Sequence, residues 1–183
     1  MRSTSPRFLV VPGWGGSSKH HWQTHLEASL DGASRVEMRD WLTPHAAQWI
    51  ATLEKRIAEG PPPIVIGHSL GCIAIAHAVA RGAAIRGALL VAPVDVDREE
   101  CPRVLRGFAP TPTKRFGAPL TLVASDNDVH ASLVRSRELA AAWGGELVVI
   151  HGGGHLNVAS GHGPWPLARL WAQQLDGLAA AAA

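Results

Sequence analysis

Residues 61–79, "PPPIVIGHSLGCIAIAHAV", contain an apolar run that stops at Gly67-His68-Ser69-Leu70-Gly71 and resumes with a different period. Before the break, Ile64, Val65 and Ile66 form a β-branched run of the kind required by a strand buried on both faces. After it, Ile73, Ala76, His77 and Ala80 recur at spacings of three and four, with no Gly or Pro until Gly82, which predicts the buried face of a helix. Ser69 is therefore expected at a strand-to-helix turn.

The pattern continues outward in both directions. Strand-type runs stand at "FLVVP" (8–12), "RVEMR" (35–39), "PIVIG" (63–67), "GALLVA" (87–92), "PLTLVA" (119–124) and "ELVVI" (146–150). Between them Trp22, Leu26 and Leu30 step by four, as do Trp49, Leu53 and Ile57, and two later helices are expected near 132–143 and 165–178. Strands alternating with helices predict an α/β fold with a parallel sheet. With 183 residues, 46% of them hydrophobic and 17% charged, the chain fits one domain over 1–178, followed by an Ala-rich tail at 179–183 expected to fray. The connection over 93–118 is long and Pro-rich, and reads either as a surface connector or as a flap with a short helix around 98–106.

Composition narrows the function. A net charge of +2 without a basic stripe gives no signal for nucleic acid or an anionic membrane. No apolar run approaches the roughly 18 residues of a membrane span, and "MRSTSPR" lacks the core of a signal peptide, so a cytoplasmic location is the expectation. Cys72 and Cys101 form neither a disulfide framework nor a redox pair, and Cys72 reads as core packing. The ten histidines show no metal-site spacing: His20 and His21 are adjacent, and His151 and His155 lack a zinc pattern, so no metal and no cofactor is expected. His20, His25, His45, His77 and His151 read as structural or surface residues. No sequence feature speaks to oligomeric state.

G-x-S-x-G after a buried strand and before a helix is the pattern of a nucleophile elbow, in which glycines relieve crowding and the Ser hydroxyl projects above the sheet. The competing reading is a glycine-flanked turn whose Ser only caps the helix. A hydroxyl needs a base, so the elbow predicts a later acid and His, in the order Ser, Asp, His. His155 in "HGGGHLN" follows the last strand on a Gly-rich loop; His151, at the strand end, is the weaker candidate. For the acid, "LVASDNDVH" offers Asp126 and Asp128, with Asp128 favoured by its spacing from the strand end and Asp126 suited to a turn cap; Asp95 in "VAPVDVD" is the outside choice. Oxyanion donors are expected from the Leu70 amide and from "VVPGWGGSS" (10–18), where Trp14 is the candidate. That loop lacks dinucleotide-binding spacing. Gly13, Trp14, His68 and Asn157 are candidate pocket residues, Trp14 being as consistent with packing. Trp22, Trp49 and Trp171, three of seven Trp, lie on helical stripes and read as core.

Across "VPGWGGSSKHHWQTHLE", "DWLTPHAAQWI", "GHSLGCIAIAH", "LLVAP", "ASDND" and "GGGHLNVASGHGPWP" the chain resembles the small, lid-less α/β-hydrolases of the retinoblastoma-binding protein 9 type. The resemblance implies a three-layer sandwich around six parallel strands in the order 2-1-3-4-5-6, with Ser69 as nucleophile, Asp128 as acid and His155 as base. It departs at Val129, where relatives usually carry Pro, and no L-x-C-x-E motif for binding retinoblastoma protein is present. The expected activity is hydrolysis of an ester, thioester or activated amide of a small substrate. An acyltransferase using the same residues, or a binding protein on the same fold, is the alternative.

Overall fold

The computed structural model describes residues 7–181. Its centre is a six-stranded sheet in the order β2-β1-β3-β4-β5-β6, every neighbouring pair parallel. The strands are β1 (Phe8–Val11), β2 (Ala33–Arg35), β3 (Ile64–His68), β4 (Gly87–Val91), β5 (Leu120–Ser125) and β6 (Glu146–Ile150). The helices are α1 (Trp22–Ser29), α2 (Ala46–Ala58), α3 (Leu70–Ala80), α4 (Leu133–Trp143) and α5 (Pro166–Ala181). Residues β-branched or apolar on both sides of β1, β3 and β4 are fully buried, as parallel strands covered on two faces require.

Two apolar layers make the core. One, carrying Leu53, Ile57, Ile73, Leu139 and Trp143, joins α2, α3 and α4 to the sheet; the other, carrying Trp22, Leu26, Ala172 and Leu175, joins α1 and α5 to the opposite face. This is the expected three-layer α/β architecture. The buried indoles of Trp22, Trp49 and Trp143 each donate to a backbone carbonyl, on Leu156, Arg39 and Pro112, so none leaves a polar atom stranded in the core. Trp171 is only half-buried and packs edge to face on Trp165.

The structure departs from expectation at several places, each with a physical cause. Strand β2 covers 33–35 rather than 35–39, because its pairing with β1 stops at Val10–Arg35, with one further bond from Val36 N to Val10 O, after which the chain leaves the sheet. Val36 and Met38 are buried around an exposed Glu37, so the alternation is real, but a strand also needs a neighbour. Helix α3 is buried nearly all round, and His77 and Ala80, expected on its buried face, are its least buried positions. Helix α2 packs along α3 on the side away from the sheet, and the segment 93–118 adds further cover: its 3₁₀ turn (Arg103–Phe108) plants Leu105 and Phe108 in the core, and the Phe108 carbonyl bonds to His77 Nε2 at 2.8 Å. At the C-terminus α5 continues through Ala181 with Ala179 buried, so residues 179–181 of the Ala-rich tail are its last turn. Residues 182–183, and 1–6 of the N-terminal stretch, lie outside the described residues. Among the described residues no helix is long and apolar enough to cross a membrane.

Candidate active site

The C-terminal ends of β1, β3, β5 and β6 bring the candidate residues to one edge of the sheet, where parallel α/β folds expose their loops. Ser69 is the hinge between β3 and α3. It sits at φ 52° and ψ −120°, a left-handed conformation that strains a residue with a side chain, and its hydroxyl makes no cap bond to α3. The helix-cap reading is thereby excluded. The flanking glycines are needed for contact: a Cβ on Gly71 would run into the carbonyl oxygen of Val11, and one on Gly67 would lie 2.8 Å from Ile75 Cδ1. Helix α3 thus approaches the sheet more closely than any side chain at these positions permits.

Ser69 Oγ donates to His155 Nε2 at 2.9 Å, and His155 Nδ1 donates to Asp128 Oδ2 at 2.8 Å. The carboxylate's other oxygen accepts from His130 N at 2.8 Å, and its side chain is only 3% exposed. Asp126 instead turns to the opposite end of the same loop, where it accepts from His151 Nδ1 at 2.7 Å and Gly152 N at 2.8 Å. The Gly152 amide first, and the His151 ring second, hold the Asp126 carboxyl below its usual range. The side chain of Asp95 is ion-paired with Arg135 at 3.4 Å and is not part of this chain of hydrogen bonds. So the two sequence alternatives separate: Asp128 with His155 beside Ser69, Asp126 with an exposed His151.

Asn127, between them, was not singled out by sequence. Its Oδ1 accepts from Gly154 N at 2.7 Å, so three consecutive side chains, 126 to 128, each hold a point on the loop 151–155. The only signal was the run of short acceptors in "SDND" facing a run of glycine amides. His130 was missed as well; its ring stands edge-on to His155 with centroids 4.3 Å apart, and burial, then the neighbouring His155, lowers its pKa.

The β1 loop closes the other side. A Cβ on Gly13 would meet Ser69 Cβ at 2.8 Å and His68 O at 2.9 Å, so the loop backbone lies directly against the elbow. Trp14 follows, 46% exposed, with its indole Nε1 donating to Leu42 O at 2.9 Å. The amides of Trp14 and Leu70 donate to no acceptor among the described residues. Buried Gln23 of α1 ties the strand ends beneath, donating to Val11 O and Ile66 O at 3.2 Å each.

Two pocket candidates are placed differently from expectation. His68 is buried, with Nε2 against His155 O at 2.9 Å; it lies under the base rather than on an open wall, because the last side chain of β3 points into the layer formed by α1. Asn157 caps the 3₁₀ turn Val158–Ser160, accepting from Ser160 N at 3.2 Å, and so shapes the loop after His155. Among the described residues no cluster of three or more His, Cys, Asp or Glu could hold a metal ion.

With this geometry, comparison with known proteins is informative. The serine hydrolase family model matches residues 8–173, and the chain belongs to that family. The crystal structure of a protein of Pectobacterium atrosepticum described as a YdeN-like hydrolase is 30% identical, with 95% of this chain and 90% of that one covered at a TM-score of 0.80. The ydeN gene product of B. subtilis is 22% identical over 94% of this chain and 100% of its own, at a TM-score of 0.78. Est1E of Butyrivibrio proteoclasticus, solved with ferulic acid bound, shares the fold at 12% identity, covering 95% and 90% of the two chains with a TM-score of 0.72. No curated protein matches the sequence significantly.

Proposed function

We propose that this serine hydrolase family member cleaves the carboxylic ester, or thioester or activated amide, of a small substrate through an acyl-enzyme on Ser69. The observation that carries the reading is the unbroken hydrogen-bonded chain from Ser69 Oγ through His155 to Asp128, with Ser69 on a strained elbow. His155 takes the hydroxyl proton as Ser69 attacks the carbonyl, then gives it to the leaving group; water repeats the sequence to release the acid. Asp128 keeps the His155 proton on Nδ1, leaving Nε2 free to accept, and stabilises the imidazolium that forms. The amides of Leu70, at the first turn of α3, and Trp14 bind the oxyanion, and the exposed Trp14 indole borders the substrate.

Within the family, the resemblance of the sequence blocks supports placing the chain with the retinoblastoma-binding protein 9 type. It acts in the cytoplasm, as a single domain, on a small molecule, without metal or cofactor.

Labelling by a fluorophosphonate probe tests this. The wild type labels, Ser69→Ala does not, and His155→Ala labels at least about 10³-fold more slowly; a panel of short-chain p-nitrophenyl esters then shows turnover that tracks labelling. A folded wild type that neither labels nor hydrolyses any ester overturns the proposal.

A further inference from the structure

The residue directly after His155 is strained. Leu156 is fully buried and holds φ at 48°, a conformation that strains a residue with a side chain and persists only where its surroundings over-determine it. Leu156 follows His155 directly, so its backbone angles and the position of the main chain that carries the imidazole are linked.

Two buried ring donors hold this stretch of main chain, and neither belongs to the loop. His68 Nε2 meets the carbonyl oxygen of His155 at 2.9 Å, and Trp22 Nε1 donates to the carbonyl oxygen of Leu156 at 2.9 Å. A carbonyl only accepts, so His68 carries its proton on Nε2. Burial first, then the neighbouring His155, pushes its pKa well down, which keeps the ring neutral beside the base. The two donors are themselves held: Trp22 and His68 meet edge to face at 6.0 Å, and His21 packs edge-on to His68 at 4.8 Å.

We propose that His68 and Trp22 are positioning residues for His155, gripping two successive carbonyls of its loop so that the imidazole stays between Ser69 and Asp128. The inference rests on His155 being the base. The residue before the nucleophile thereby acquires a definite role, since Ser69 holds the ring of His155 while His68 holds its main chain. Trp22, which the helical stripe alone marks as core, acquires a second use for its N–H.

The test compares Trp22→Phe, which keeps an aromatic ring and removes the N–H, with His68→Leu, which removes the donor, and His68→Gln, which restores one of similar reach. The readouts are kcat and KM on p-nitrophenyl acetate, the second-order rate of fluorophosphonate labelling, and Tm, all assayed well below melting. Trp22→Phe and His68→Leu are each expected to lower kcat and labelling by about 10-fold to 100-fold with KM within about twofold. His68→Gln recovers most of the loss. The double variant loses less than the product of the singles, since both act through one loop. Folded variants with wild-type kcat and labelling, or a His68→Leu loss that Gln does not restore, overturn the proposal. Should His68→Leu fail to fold, Trp22→Phe decides: a wild-type rate overturns it and a lowered kcat at unchanged KM supports it. A wild type that does not label at all overturns the reading of His155 itself, a result distinguishable from all of these.

Discussion

Asp126 and Asp128 are two residues apart, chemically identical and both hydrogen-bonded to a histidine of one loop, yet their surroundings differ. Asp128 is enclosed, with one oxygen on the His130 amide and the other on a ring that reaches Ser69; Asp126 faces an exposed His151. Asp128→Asn should therefore lower kcat by about 10³-fold to 10⁴-fold, because the amide allows the wrong tautomer of His155. Asp126→Asn should stay within a few-fold of wild type. Steady-state kinetics on one ester separates them, and equal losses in both would reject the assignment of Asp128. The strand-end spacing already favoured Asp128 and the Gly-rich loop favoured His155, but that Asp126 takes His151 as its partner depends on how each side chain reaches across the sheet edge.

Among the elements, α3 and the 93–118 segment were read least well. A stripe of apolar residues at spacings of three and four is compatible with one buried face or with a helix buried all round, and α3 is the latter. What covers it besides the sheet is α2, together with a 3₁₀ turn in a stretch whose prolines and short apolar pairs gave no period to recognise. Phe108 is fully buried there, with its ring edge to face on Trp49 at 5.8 Å. Phe108→Ala should cost about 3–5 kcal/mol of stability by denaturant unfolding. Activity below the melting range should stay within a few-fold, since the turn packs into the core rather than over Ser69. A large change in KM at unchanged stability would instead mark the segment as a flap. For the elbow, Gly71→Ala should abolish labelling and lower Tm steeply, because the added methyl meets the β1 backbone, which cannot yield without parting α3 from the sheet. Circular dichroism melts with probe labelling read both effects.

Taken as a whole, the molecule holds three imidazoles, those of His21, His68 and His130, where burial disfavours their charged form. Burial, then the charge of Arg35, lowers the pKa of His21 from 6.5 to about 4, and His68 and His130 are lowered too, chiefly by burial. Between these folded-state values and 6.5 the unfolded chain binds more protons than the folded one, so the free energy of unfolding falls as pH falls through that window. Asp126, whose pKa is lowered from 3.8, acts in the same direction only at still lower pH. Tm should be nearly flat above about pH 7 and decline steadily toward pH 4. His68→Gln should flatten part of that slope, whatever it does to activity. A Tm independent of pH from about 7 to 4.5 would contradict the lowered pKa of these rings.

The strand runs, the glycine-flanked Ser69, and a later Asp and His on loops were legible in the chain because they rest on local chemistry: β-branched residues buried on two faces, a backbone turn that admits no Cβ, and residue types with one suitable reactivity. Tertiary structure alone decided where β2 ends, what buries α3, that Asp126 pairs with His151, and that His68 and Trp22 meet the loop of His155 from two other elements. Those are pairings between residues 25 to 134 positions apart, from Asp126 with His151 to Trp22 with Leu156, and no period along the chain encodes a partner at that distance.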